Sequence, residues 1–457
     1  MGIYGAMATA ISGMRAQSFA LEQVSGNIAN SQTTGYKRTE SNFADLIPEA
    51  PPTRQVAGAV AAYSRGTNDL QGDIQTADTE TYIAINGDGY FVIDESVGVV
   101  DGRPVFSGTD LYTRRGDFDL DKNGYLVNGA GYYLKGLAID AETGNVSASV
   151  PQPIQLNNDF LPADATTEIV YRANLAAYPL TAQADENVAN SELMSAASYS
   201  VDPTTAGAGT VVATDLTTFL EQSIAGGAIT TYDSTGAPVN VQMRWAKTDS
   251  VSNGGADTWN LFYMTNANAT GAQTAWQNVG QDYVFGANGQ LSPAIPSVTI
   301  SNLTVNGINL GNINLQHGNY GMTQFADSNG TAQVTELSQN GSAAGELVGV
   351  SISDSGRVVT TYSNGKTVEV AEVILASFNA DNALKKLDGG AYAATTESGV
   401  AILGAGGDII GAALEASNVD IADEFTKLIV TQQAYAAGTR IVTTSNDMLQ
   451  EVLNMVR

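Results

Sequence analysis

The feature that most constrains this chain is a run of apolar side chains spaced seven residues apart near its C-terminal end. Ile421, Leu428, Tyr435, Val442, Leu449 and Val456 recur without a break, and Phe425 and Leu453 flank them. Such a repeat keeps one narrow apolar line on a single face of a helix. It predicts a helix of roughly 35 residues, about 50 Å long at 1.5 Å per residue. Ser417 or Asn418 is placed to cap its start, and Asp420, Asp423 and Glu424 fall in the first turns, where the helix dipole favours acids. The other end of the chain carries a weaker version of the pattern. Met7, Met14, Leu21 and Ile28 repeat at the same interval, Ile11 and Val24 widen the stripe, and the turn formers from Asn30 to Gly35 stop it.

A long helix at each end, each with a narrow apolar seam, has no place inside a β-rich core. The two helices are expected to pair with each other as an antiparallel coiled coil. Two helices alone leave much apolar surface uncovered, so the pair calls for further copies of the same chain to cover the rest. A coiled coil complete within one chain is the plainer alternative. The fourteen residues named above are the candidate packing residues of such a polymer.

Between the helices the period changes. Residues 36–78 hold Lys37-Arg38, the stretch from Pro48 to Pro52 and a Gly/Ala-rich segment, and read as an extended connecting arm. From 79 to 150, short apolar runs alternate with tight turns. Tyr82–Ile85 and Tyr90–Ile93 flank Asn86-Gly87-Asp88-Gly89, which reads as a hairpin, and Asp121-Lys122-Asn123-Gly124 reads as a second turn. Residues 345–416 share that texture. Residues 151–344 differ: their only Lys or Arg residues are Arg172, Arg244 and Lys247, and they hold all three Trp residues among Val/Thr/Ile runs and Gly/Asn turns, as an all-β domain does. The order is nested. A terminal helical domain (1–35 and 417–457) encloses the arm and a β-rich middle domain (79–150 and 345–416), which is interrupted by an inserted all-β outer domain (151–344).

Charge and composition exclude several functions. A net charge of −27 over 457 residues repels nucleic acid and anionic membranes. With no Cys there is no disulfide, thiol nucleophile or thiolate metal site, and one His, His317, rules out a histidine metal cluster. His317 is expected in a loop. The acids Asp117, Asp119 and Asp121 with Asn123-Gly124 fail as a calcium loop, because the twelfth position is Ala130 or Asn128 instead of Glu. Gly87-Asp88-Gly89 opens no helix and is no phosphate cradle. Arg114-Arg115 reads as a surface or interface pair. No catalytic, cofactor or metal site is expected. No apolar run is long enough to span a membrane, and no basic stretch precedes an apolar core at the N-terminus, so export by a cleaved Sec-type signal is not expected. A secreted β-rich hydrolase would need convergent polar groups that this composition does not point to, and it would leave the terminal helices without a purpose.

Several strings resemble the flagellar axial proteins, the family of rod, hook and hook-associated subunits. Ser12-Gly13-Met14-Arg15-Ala16-Gln17, Val24-Ser25-Gly26-Asn27-Ile28-Ala29-Asn30 and Thr33-Thr34-Gly35-Tyr36-Lys37 resemble its N-terminal signature. Residues 417–425 and Gln432-Gln433-Ala434-Tyr435 resemble its C-terminal one. Residues 83–92 and 112–118 resemble a segment shared by hook and distal-rod proteins, and the insertion of nearly 200 residues points to the hook, with a distal-rod subunit as the alternative. The resemblance spans residues 1–150 and 345–457. It implies a non-enzymatic subunit of the bacterial flagellum that assembles outside the cell into a curved tube acting as a universal joint. It also implies export through the flagellar type III channel. The implied partners are further copies of the chain, rod and hook-filament junction proteins, and a hook cap, with no cofactor.

Overall fold

The structure, a computed structural model, describes residues 3–46, 58–140, 143–156, 160–205 and 209–455. It is mainly β, with one long helix near each end. Two compact units make up the chain: unit 1 is Met1–Asn158, Leu347–Tyr362 and Lys366–Arg457, and unit 2 is Asp159–Glu346 with Ser363–Gly365. Among the described residues no helix is long and apolar enough to cross a membrane.

In unit 1, helix α1 is Ile3–Ala29 and helix α3 is Ile421–Met455. The cap of α3 is Asp420, neither Ser417 nor Asn418. Asp420 Oδ1 accepts from the backbone N–H groups of Ala422 (2.8 Å) and Asp423 (3.2 Å). Asn418 is unavailable because its amide is already used: Nδ2 donates to Thr67 and Leu70 oxygens, and Oδ1 accepts from Arg38 N–H.

Residues 36–78, read as an extended arm, instead contain a two-stranded antiparallel hairpin. Strand β1 (Thr39–Leu46) pairs with β2 (Ala59–Gly66) from Thr39↔Gly66 to Leu46↔Ala59, and both lie against α1. Small residues allow the close approach, and Val60 N–H donates to Ser12 Oγ at 3.1 Å. The Pro48–Pro52 stretch lies outside the described residues.

The main sheet of unit 1 interleaves chain from before and after unit 2. Strand Tyr132–Ala138 pairs with Thr367–Val373, and Tyr90–Val100 pairs with Leu375–Ser377. One core serves both stretches: Ile83, Phe91, Phe118 and Leu134 pack with Val358, Val373 and Ile409. The expected hairpin across Asn86–Gly89 is absent. Strand Ile83–Asn86 pairs with Asp408–Gly411, while Tyr90–Val100 runs into the main sheet. Gly87 (φ +108°) and Gly89 (φ +121°) turn the chain out of register, and Gly407 comes so near Gly87 that a Cβ there would meet its Cα at 3.1 Å. By contrast, Phe118–Leu120 and Leu126–Asn128 do form a hairpin. Asp121 Oδ1 closes its turn by accepting from Asn123 and Tyr125 N–H groups, both at 2.8 Å.

Unit 2 holds two five-stranded sheets that share one core. It is not wholly β, because helix α2 (Leu216–Glu221) closes a second small core around Phe219, Phe262 and Trp276. The main core of unit 2 contains a polar chain. Trp245 Nε1 donates to the Tyr171 hydroxyl (2.8 Å), which donates to Gly226 O (2.8 Å). His317 lies in a loop as expected, yet is fully buried. Its Nδ1 is 2.8 Å from Tyr171 O, so Nδ1 carries the proton and Nε2 accepts from the Tyr283 hydroxyl at 2.9 Å. Burial lowers the His317 pKa and raises that of Tyr283. Among the described residues the His317 ring is held by the Tyr283 hydroxyl and Tyr171 O, with no carboxylate or nucleophile as a partner, as befits a structural residue.

Candidate assembly interface

Helices α1 and α3 pack against each other. The side of α3 buried in the chain is only half of what the apolar heptads suggest. Its buried residues are Glu424, Thr431 and Ser445, interleaved with half-buried Leu428, Gly438, Val442 and Leu449. Successive positions lie three or four residues apart, except for a step of seven from Thr431 to Gly438 across the exposed Tyr435. One line of these positions is apolar, and the line four residues before it is small or polar. That second line was missed because nothing in Glu, Thr, Gly and Ser signals burial; their seven-residue interval was the available clue. On α1 the buried residues are Ala10, Ala16, Ala20, Val24 and Asn27. Small side chains let the helix axes approach closely. A Cβ on Gly438 would stand 2.7 Å from Met14 Cγ.

Of the candidate packing residues, Val24 is buried. Met7, Met14, Leu21, Ile28, Leu428, Val442 and Leu449 are half-buried, and Ile11, Ile421, Phe425, Tyr435 and Leu453 are exposed. Val456 lies outside the described residues. A further apolar line runs along α3 in open view. Val430 (59% exposed), Ala434, Ala437, Ile441 (50%), Met448 (54%) and Met455 (79%) follow one another at helical spacing, and Phe425 and Ile429 add a second ridge. Beside this line is a groove of about 550 Å³ floored by Ala10, Gly13 and Met14 of α1 and by Ala437, Gly438 and Ile441 of α3. An exposed apolar line of this kind makes this side of α3 a candidate interaction face.

Polar contacts fix the base of the helix pair. Asn27 Nδ2 donates to Glu424 Oε2 (3.0 Å) and Thr39 O (2.9 Å), and its Oδ1 accepts from Thr39 N–H (3.0 Å). Lys427 Nζ lies 2.6 Å from the other Glu424 oxygen, so this buried carboxylate is paired on both sides. Burial raises the Tyr36 pKa, and the charge of Glu424 adds to that.

A second cluster ties the helices to the β-sheet. Glu415 sits between two buried cations: Lys37 Nζ at 2.5 Å from Oε1 and Arg114 Nη1 at 3.4 Å from Oε2. Lys37 also donates to Leu70 O (2.6 Å), Gly72 N–H to Glu415 Oε1 (2.8 Å) and Arg114 Nη2 to Gly87 O (2.9 Å). Burial lowers the Lys37 pKa against the opposing pull of Glu415. The Arg114-Arg115 pair is therefore not a surface pair. Arg114 is buried over the Tyr90 ring, with 5.3 Å from Cζ to the ring centroid, and Arg115 forms a two-bond fork with Asp117 (2.6 and 2.8 Å).

Four family profiles match the chain in order: Flagella basal body rod protein at residues 7–37, Flagellar hook protein FlgE/F/G D1 domain at 84–167, Flagellar basal body protein FlaE D2 domain at 197–342, and Flagellar basal body rod FlgEFG protein C-terminal at 411–455. The first falls on α1 and the last on α3. Curated relatives match from end to end. The flagellar hook protein FlgE of Brucella suis is 29% identical over 465 residues, covering all of both chains.

From end to end this chain is similar to flagellar hook proteins.

Other hook-family relatives agree in extent. FlgE of Caulobacter vibrioides is 28% identical with both chains fully covered, and FlgE of Salmonella typhimurium is 27% identical over 98% of each chain. A crystal structure of Helicobacter pylori flagellar hook protein FlgE2 overlays with a TM-score of 0.48 at 16% identity, covering 75% of this chain and all of that one. The hook family is structural, not enzymatic.

Proposed function

We propose that this chain is the structural subunit of a flagellar hook and polymerises through the faces of α1 and α3 into a hollow, curved tube that carries motor torque to the filament. One observation carries the reading: the apolar line along α3 through Val430, Ile441 and Met448 is left uncovered by its own chain. Copies packed side by side would bury it. The contact must be head-to-tail, because a two-fold contact closes after two subunits whereas a non-closing one extends into a helix. In this reading the paired helices form the inner wall as a coiled coil, the β-domain of residues 79–150 and 345–416 forms a middle shell, and the inserted domain of 151–344 forms the outside. Packed apolar seams resist separation, while polar, wet outer contacts break and re-form as the tube bends. End-to-end relatives named as hook proteins favour the hook over a distal-rod subunit. Export through the type III channel, a cap at the growing tip, and contacts with rod and junction proteins belong to the same proposal.

The test is electron microscopy of the purified, concentrated chain. Curved tubes are expected. Straight rods would point to the rod instead, and a chain that stays monomeric at every concentration would end the proposal.

A further inference from the structure

Beside the Lys37–Glu415–Arg114 cluster, four sealed polar atoms find no hydrogen-bond partner among the described residues: Asn68 Oδ1, the Tyr90 hydroxyl, Arg114 Nε and Asp381 Oδ1. They come from four separate stretches of unit 1 that converge. Asn68 Nδ2 donates to Asp381 O at 2.8 Å, and Asn68 N–H donates to Asn382 Oδ1 at 2.8 Å. Arg114 lies over the Tyr90 ring, and Asp381 is within electrostatic reach of both Tyr90 and Arg114. Tyr90 is fully buried, and Asn68 and Arg114 are 2% and 3% exposed. The Tyr90 ring is clamped edge-on by Phe378 and Tyr392 at 5.9 and 5.5 Å, which leaves its hydroxyl little freedom to seek a partner elsewhere.

We propose that these four groups bind one internal water molecule. The inventory is two donors, the Tyr90 O–H and Arg114 Nε–H, and two acceptors, Asn68 Oδ1 and Asp381 Oδ1. That set complements a single water, which accepts two hydrogen bonds and donates two. A cation does not fit, because the Arg114 guanidinium would face it. An anion does not fit, because Asp69 and Asp88 also lie within electrostatic reach of Asp381. Leaving four buried groups unpaired would cost a large part of a domain's stability. The water sits where the chain leaving β2 meets the sheet and the approach to α3. A water bridge there lets the groups shift slightly without losing their partners, as a direct ion pair does not. This site is independent of how the helices assemble.

The test is an experimental structure of the full chain at a resolution that shows ordered water. One peak is expected within hydrogen-bond distance of all four atoms. In Tyr90→Phe, which keeps the ring between Phe378 and Tyr392, the peak should remain on three partners. Two results would overturn the assignment: the Tyr90 hydroxyl bonded directly to Asp381 with nothing between them, or a peak ringed by six or more oxygens at the short distances of a bound calcium ion.

Discussion

Replacing Ile441 and Met448 together by Ser probes the open face of α3 without touching the face packed on α1. Both side chains are about half exposed in the single chain, at 50% and 54%. Full burial of such a side chain is worth about 1.5–3 kcal/mol, so covering the remaining half in a polymer contributes about 1 kcal/mol at each position. Losing both removes about 2 kcal/mol per subunit contact, and at 1.4 kcal/mol per factor of ten the critical concentration for assembly should rise about thirtyfold. The folded chain should barely notice, because surface changes away from packed features stay within about 0.5 kcal/mol. Sedimentation of polymer against total protein gives the critical concentration, and far-ultraviolet circular dichroism gives the melting of the chain. An unchanged critical concentration with the fold intact would refute the reasoning, since this face would then play no part in assembly. A large drop in melting temperature would refute it in another way, by showing that the line is packed within the chain.

Three further outcomes follow from the same geometry. Lys37→Met leaves Glu415 with its weaker partner Arg114 and should cost unit 1 about 3 kcal/mol, read by urea unfolding of the helical circular dichroism signal; an effect under about 1 kcal/mol would mean the pair is solvated. His317 is held neutral, with a pKa below its ordinary value of 6.5, so below pH 6.5 the unfolded chain takes up a proton that the folded chain refuses. Stability of unit 2 should therefore fall as the pH drops from 6.5 toward the folded pKa, by at most about 1.4 kcal/mol per pH unit, and be fully present above 6.5. Tryptophan fluorescence reads this directly, since all three Trp residues lie in unit 2, and His317→Gln should flatten the slope. Gly438→Leu should lower the helix melting temperature because its Cβ meets Met14, and adding Met14→Ala should restore part of the loss; no restoration would mean that these residues do not touch.

The legible parts of this protein are those written in local periodicity. A seven-residue apolar interval marks a helix wherever it occurs, so α3 was readable from Ile421 to Leu449 without knowing what it touches. Turns were readable where one side chain closes its own loop, as Asp121 does. The failures share one cause. Whether Asn86–Gly89 joins two paired strands depends on what else those strands can pair with, and Asp408–Gly411 lies more than 300 residues away. Arg114 reads as a surface residue until Glu415 is beside it, and Lys37 and Glu415 are 378 positions apart.

By itself, then, the sequence determined that long helices stand near both ends, that β-structure fills the middle, and that a chain without Cys and with a single His has no metal-based chemistry to offer from thiols or imidazoles. Tertiary structure alone decided which side of α3 is covered by its own chain. The covered line is Glu424, Thr431, Gly438 and Ser445, because small and polar residues there admit α1 closely and Glu424 finds a partner in Asn27. The apolar line through Val430, Ile441 and Met448 stays open. Hydrophobic spacing records that a surface must be buried, but the identity of whatever buries it lies in shape and pairing across the folded chain.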